Sequence, residues 1–117
     1  MARLSTHVLD TSQGRPAAGV AVSLYRIADM GREHCASAVT NRDGRTDEPL
    51  LSGDRIAIGV YELVFAAGAY LRQQGVTLPE PAFLGEVVIR FGVAEETGNY
   101  HVPLLLSPYG YSTYRGS

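Results

Sequence analysis

Along this chain, short runs in which apolar and polar residues alternate are cut at close intervals by glycine and proline. Residues 4–10 put Leu4, Thr6 and Val8 on one face and Ser5, His7 and Leu9 on the other, the period-two pattern of a half-buried strand. The same reading gives strands over residues 20–27, 34–40, 60–65, 86–91, 100–106 and 111–115, and an eighth, less regular one around 50–58. Within 60–65, Glu62 is expected to face solvent between Val60 and Val64; within 86–91, Val87, Ile89 and Phe91 share a face. Residues 69–74 lack β-branched side chains and run into Gly75, which predicts one short helix.

Turn chemistry separates these runs. Residues 12–16 form one turn-rich segment, and Asp29-Met30-Gly31 breaks the pattern again. Asn41-Arg42-Asp43-Gly44 is a strong turn, because Asp-Gly tolerates the positive φ that tight turns need. Residues 95–99 read as a hairpin loop and Ser107-Pro108-Tyr109-Gly110 as a last turn. Short strands at this spacing, with no repeat and no linker, predict an all-β fold: one domain over residues 1–117, a two-sheet sandwich of about eight antiparallel strands with one short helix.

Composition narrows the function. At 45% hydrophobic and 19% charged, the chain is neither a disordered tail nor a fibrous repeat. Every positive side chain is Arg, and ten of them against twelve acids leave a net charge of −2. No global field therefore draws nucleic acid or an acidic membrane. The single cysteine, Cys35, has no partner for a disulfide or a thiolate metal site, and its small-residue surroundings predict a buried strand position. The first residues carry no apolar signal core, and the longest uncharged apolar stretch, residues 63–71, is too short to span a bilayer. A soluble cytoplasmic protein is expected.

With so few ionisable groups, polar residues inside strands carry the information. His7 and His101 lie within apolar strand segments, whereas His34 follows Glu33 and is expected to face solvent. The default for a strand histidine is a satisfied, half-buried side chain; the alternative is acid–base chemistry near neutral pH. The three histidines show no ligand-pair spacing for zinc, and there is neither a Gly-x-Ser-x-Gly elbow nor a phosphate-cradling glycine pattern. Arg45 follows the Asp43-Gly44 turn and is either a solvated turn residue or a clamp for a carbonyl or oxyanion. Residues 107–117 hold three tyrosines and no acid, which by default is an aromatic edge strand.

Three blocks together resemble the 5-hydroxyisourate hydrolases, the transthyretin-related family. They are Leu4-Ser5-Thr6-His7-Val8-Leu9-Asp10 with Gly14-Arg15-Pro16-Ala17, then Asp43-Gly44-Arg45, and the ending from Tyr100-His101-Val102-Pro103 to Tyr114-Arg115-Gly116-Ser117. The resemblance runs over essentially the whole chain. Transthyretins proper lack the closing Tyr-Arg-Gly-Ser.

The resemblance implies a transthyretin-like sandwich and a homotetramer with its sites in a channel between dimers. It implies hydrolysis of the cyclic amide of 5-hydroxyisourate, a small-molecule substrate, with no cofactor and no metal. His7, His101, Arg45 and Ser117 would be catalytic. His7, Arg45 and Tyr114 would hold the substrate, and Ser117 would orient a histidine through its hydroxyl or a terminal carboxylate. A small-ligand carrier of transthyretin type and a plain structural sandwich module are the competing expectations.

Overall fold

The computed structural model describes residues 1–117. The first alternating run becomes β1 (Ala2–Asp10), with Leu4, Thr6 and Val8 buried and Ser5, His7 and Leu9 half-buried on the opposite face. Next come β2 (Arg15–Pro16), β3 (Ala21–Ala28), β4 (Gly31–Val39), β5 (Leu51–Gly53) and β6 (Gly59–Phe65). The helix α1 (Ala67–Gln73) is followed by β7 (Val87–Val93), β8 (Asn99–Ser107) and β9 (Gly110–Thr113). One sheet runs β2-β1-β8-β9, with β5 also on β1; the other runs β4-β3-β6-β7. The core between them includes Leu4, Val8, Leu24, Leu63, Phe65, Leu104 and Leu106. Burying each such side chain contributes about 1.5–3 kcal/mol.

Five expectations need correction. First, the strands are not all antiparallel: β1 and β8 run parallel, from Arg3 opposite Asn99 to Asp10 opposite Leu106. Second, residues 95–99 do not close a hairpin, because β7 and β8 belong to different sheets and the segment crosses between them. Third, the run at 50–58 pairs with β1 only over Leu51–Gly53.

Fourth, Glu62 is buried. Its side chain points away from the core, but Arg90 closes on it through Nη2 at 2.7 Å and Nε at 2.9 Å, while Arg32 approaches at 3.5 Å. Fifth, Cys35 is exposed. It is the extra residue of a β-bulge, where the register jumps from Leu24 opposite Ala36 to Tyr25 opposite His34. Partial desolvation raises its thiol pKa, which is the wrong direction for a nucleophile.

One buried polar network ties the helix to the end of β1. Tyr70 donates its hydroxyl to Asp10 Oδ2 at 2.7 Å. The other oxygen of Asp10 accepts from Ser12 N, Ser12 Oγ and Gln13 N. Burial alone would raise the Asp10 carboxyl, but the hydrogen bonds from Ser12, Tyr70 and Gln13 outweigh it and hold its pKa below the ordinary value. No helix is long and apolar enough to cross a membrane.

Candidate active site

The outer face of the first sheet carries His7 and His101. Because β1 and β8 are parallel and in register at Ser5 and His101, these two side chains stand side by side, with Ser5 Oγ 2.9 Å from His101 Nδ1. His7, two residues further along β1, lies on the same face opposite Pro103.

The Asn41–Arg45 turn is laid against β1. Val8 donates its N–H to the Gly44 carbonyl at 2.7 Å, and His7 and Arg45 form an isolated antiparallel bridge. Only glycine suits position 44: its φ is +77°, and a Cβ would run into the Val8 carbonyl oxygen. The turn also fixes His7. A carbonyl oxygen only accepts, so His7 Nε2 carries the proton and donates it to the Asp43 carbonyl at 2.8 Å. In the neutral ring this leaves the Nδ1 lone pair free.

The chain end returns to the same place. Gly116 pairs with His101 in an isolated bridge, its N–H donating to the His101 carbonyl at 2.7 Å. This carries Ser117 into a cleft of about 460 Å³ that His101, Arg45, Arg3 and Thr46 also line. Neither Arg45 nor Arg3 is in an ion pair, so both guanidinium groups are free for a ligand. Burial first, then the Arg45 and His7 charges, hold the His101 pKa below the ordinary histidine value. The ring is therefore neutral at physiological pH.

Of the residues singled out from sequence, His101, Arg45 and Ser117 share one cleft and His7 stands beside it. Tyr114 does not join them within one chain. It is 60% exposed and lines a separate apolar groove with Ile89, Phe91 and Val102. His34 lies on β4 in the other sheet, bonded through Nε2 to Ser37 Oγ at 2.6 Å. No group of three His, Cys, Asp or Glu side chains is placed to hold a metal ion.

Ser5 and Arg3 were not foreseen. Strand alternation puts Ser5 on the face of His7, but its pairing with His101 depends on a parallel register that sequence does not display. Arg3 had no sequence signal beyond its charge.

A β-sandwich that gathers His7, His101, Arg3 and Arg45 on the outer face of one sheet, around a cleft that Ser117 also lines, is a sandwich of the transthyretin type. The profile of the HIUase/Transthyretin family matches residues 4–116, and the chain belongs to that family. Among its relatives, the 5-hydroxyisourate hydrolase of Mesorhizobium japonicum is 63% identical, over 98% of this chain and 92% of that one. The solved 5-hydroxyisourate hydrolase of Klebsiella pneumoniae is 38% identical and superimposes with a TM-score of 0.82 over the full length of both chains. Sea bream transthyretin, solved in complex with thyroxine, is 28% identical with a TM-score of 0.85, covering 97% of this chain and 94% of that one.

Proposed function

We propose that this protein is an enzyme that hydrolyses 5-hydroxyisourate, a product of urate oxidation, to 2-oxo-4-hydroxy-4-carboxy-5-ureidoimidazoline. The observation that carries the reading is the cleft where His101, Arg45 and Ser117 meet beside His7, in a chain 63% identical to a relative of that name. A water oxygen bonds to the ring carbonyl carbon as one of its protons passes to an imidazole. The carbonyl oxygen becomes an oxyanion, which the Arg45 guanidinium stabilises with charge and a planar fork of donors. The carbon–nitrogen bond then breaks, the proton held by the imidazole goes to the leaving nitrogen, and the new carboxyl group releases the water's second proton to solvent as it becomes a carboxylate. Nothing in this sequence needs a metal or an organic cofactor.

A homotetramer with its sites between subunits completes the reading. Exposed Tyr109, Tyr111 and Tyr114, with Val88 and Phe83, supply apolar surface of the kind that interfaces cover. Tyr114 would then hold substrate through its hydroxyl in a neighbouring subunit's cleft. A cytoplasmic setting fits the partnerless Cys35. The carrier alternative finds little support, because Arg3, Arg45, His101, Ser5 and Ser117 make the cleft polar where an apolar aromatic ligand wants the opposite.

The test is to generate hydroxyisourate in place with a urate oxidase and follow its decay with and without this protein. Faster decay is expected. Equal decay would overturn the assignment and favour the carrier.

A further inference from the structure

We infer that Ser5 is a positioning residue that holds His101 as the tautomer with its proton on Nε2, so that His101 presents a donor, not a base, to the cleft. The inference rests on the hydrolase reading above and divides the labour between the two histidines.

Hydrogen-bond satisfaction around the ring selects the tautomer. Ser5 Oγ lies 2.9 Å from His101 Nδ1, and this is the only hydrogen bond the Ser5 side chain makes. Two arrangements fit that distance. If Nδ1 carried the proton, it would donate to Ser5 Oγ, and the serine hydroxyl proton would have no acceptor within the protein. If the hydroxyl donates to Nδ1, its single proton is used and both partners are satisfied. The second arrangement puts the proton of the neutral ring on Nε2. The remaining surroundings agree. Gly116 covers the ring at Cδ2, so a Cβ there would lie 2.5 Å from that atom, and Ser5 covers Nδ1. Nε2 makes no hydrogen bond to the protein and is left for a ligand.

The geometry gives complementary roles. His7 has Nε2 tied to the Asp43 carbonyl and a free Nδ1 lone pair, which suits it to take the proton of the attacking water. His101 offers an N–H and, being neutral, donates a hydrogen bond to the developing oxyanion beside the Arg45 guanidinium, while the proton for the leaving nitrogen comes from His7. Two imidazoles free to exchange tautomers would each spend part of the time in the wrong form; the Asp43 carbonyl and Ser5 prevent this.

The experiment has a spectroscopic arm and a kinetic arm. The full-length protein is labelled with nitrogen-15 at histidine, and long-range proton–nitrogen correlations report which His101 nitrogen is protonated when the ring is neutral. The wild type should show Nε2 protonated, Ser5→Ala a mixture of tautomers, and Ser5→Thr the wild-type pattern. In turnover of 5-hydroxyisourate, Ser5→Ala should lower kcat roughly tenfold or more with KM within about twofold, and Ser5→Thr should restore most of kcat. A wild-type proton on Nδ1, or an unchanged tautomer in Ser5→Ala, overturns the inference. A wild type inactive on 5-hydroxyisourate overturns the proposed function instead, and the tautomer measurement still decides the role of Ser5.

Discussion

Gly116 lies so close to His101 that no side chain fits between them: a Cβ on Gly116 would sit 2.5 Å from Cδ2 of the imidazole and 3.2 Å from Cγ. The contact is held by the Gly116 N–H donating to the His101 carbonyl at 2.7 Å. The glycine is needed for close approach and not for an unusual φ, and the atom that must give way is a ring carbon of a candidate catalytic residue.

Gly116→Ala should therefore displace the ring or push the chain end out of the cleft. Turnover is expected to fall roughly tenfold or more with the melting temperature nearly unchanged, because a misplaced group costs rate without costing core packing. Activity equal to wild type would show that the chain end yields freely and does not set the ring.

Alanine in place of His7, Arg45 or His101 should each lower turnover roughly a hundredfold or more, the usual scale for one acid–base or oxyanion group. His34→Ala should be nearly neutral, since His34 bonds to Ser37 on the other sheet. Comparable damage from His34→Ala would refute the assignment of the cleft. Incubation with a chelator is expected to leave the rate unchanged.

The His101 titration provides a pH test. Burial, Arg45 and His7 all lower its pKa, so in the folded protein its nuclear magnetic resonance titration should have its midpoint below that of histidine in an unfolded chain, about 6.5. Arg45→Ala should move the midpoint upward by removing a nearby positive charge. Below about 6.5 the unfolded chain takes up this proton before the folded one does. The contribution of His101 to stability is thus present above that pH and is lost as the pH falls toward its folded value. A midpoint at or above the unfolded value would contradict the field described around the ring.

Tyr70→Phe should destabilise the fold by about 1–3 kcal/mol, because it leaves buried Asp10 one hydrogen bond short. Since the Asp10 pKa is lowered on folding, its contribution is fully present above the ordinary aspartate value and is lost as the pH falls through its folded value. Denaturant midpoints of wild type and Tyr70→Phe, followed from neutral pH into acid, should converge. A constant gap would mean that the loss is packing alone.

Light scattering at working concentration should give the mass of four chains, and substituting Tyr111 with Glu at the exposed β9 surface should lower it. A monomeric wild type would remove the route by which Tyr114 could meet substrate.

The alternation of Leu4, Thr6 and Val8 against Ser5, His7 and Leu9 determined which faces of the strands are buried, since side chains of a strand point alternately to its two sides. The Asp43-Gly44 turn, the short helix, and the sharing of one strand face by Ser5 and His7 were legible for the same reason: each depends on neighbours a few residues away. What local pattern cannot encode is which strands meet. The parallel register that sets Ser5 beside His101 joins residues 96 positions apart. The crossing of residues 95–99 between sheets, and the burial of Glu62 by Arg32 and Arg90, likewise depend on distant partners. Strand pairing is settled by the core as a whole, because each sheet must bury its apolar face against the other. The cleft is a consequence of that pairing, and only the tertiary structure decided that His101, Arg45 and Ser117 would share it and that Tyr114 would not.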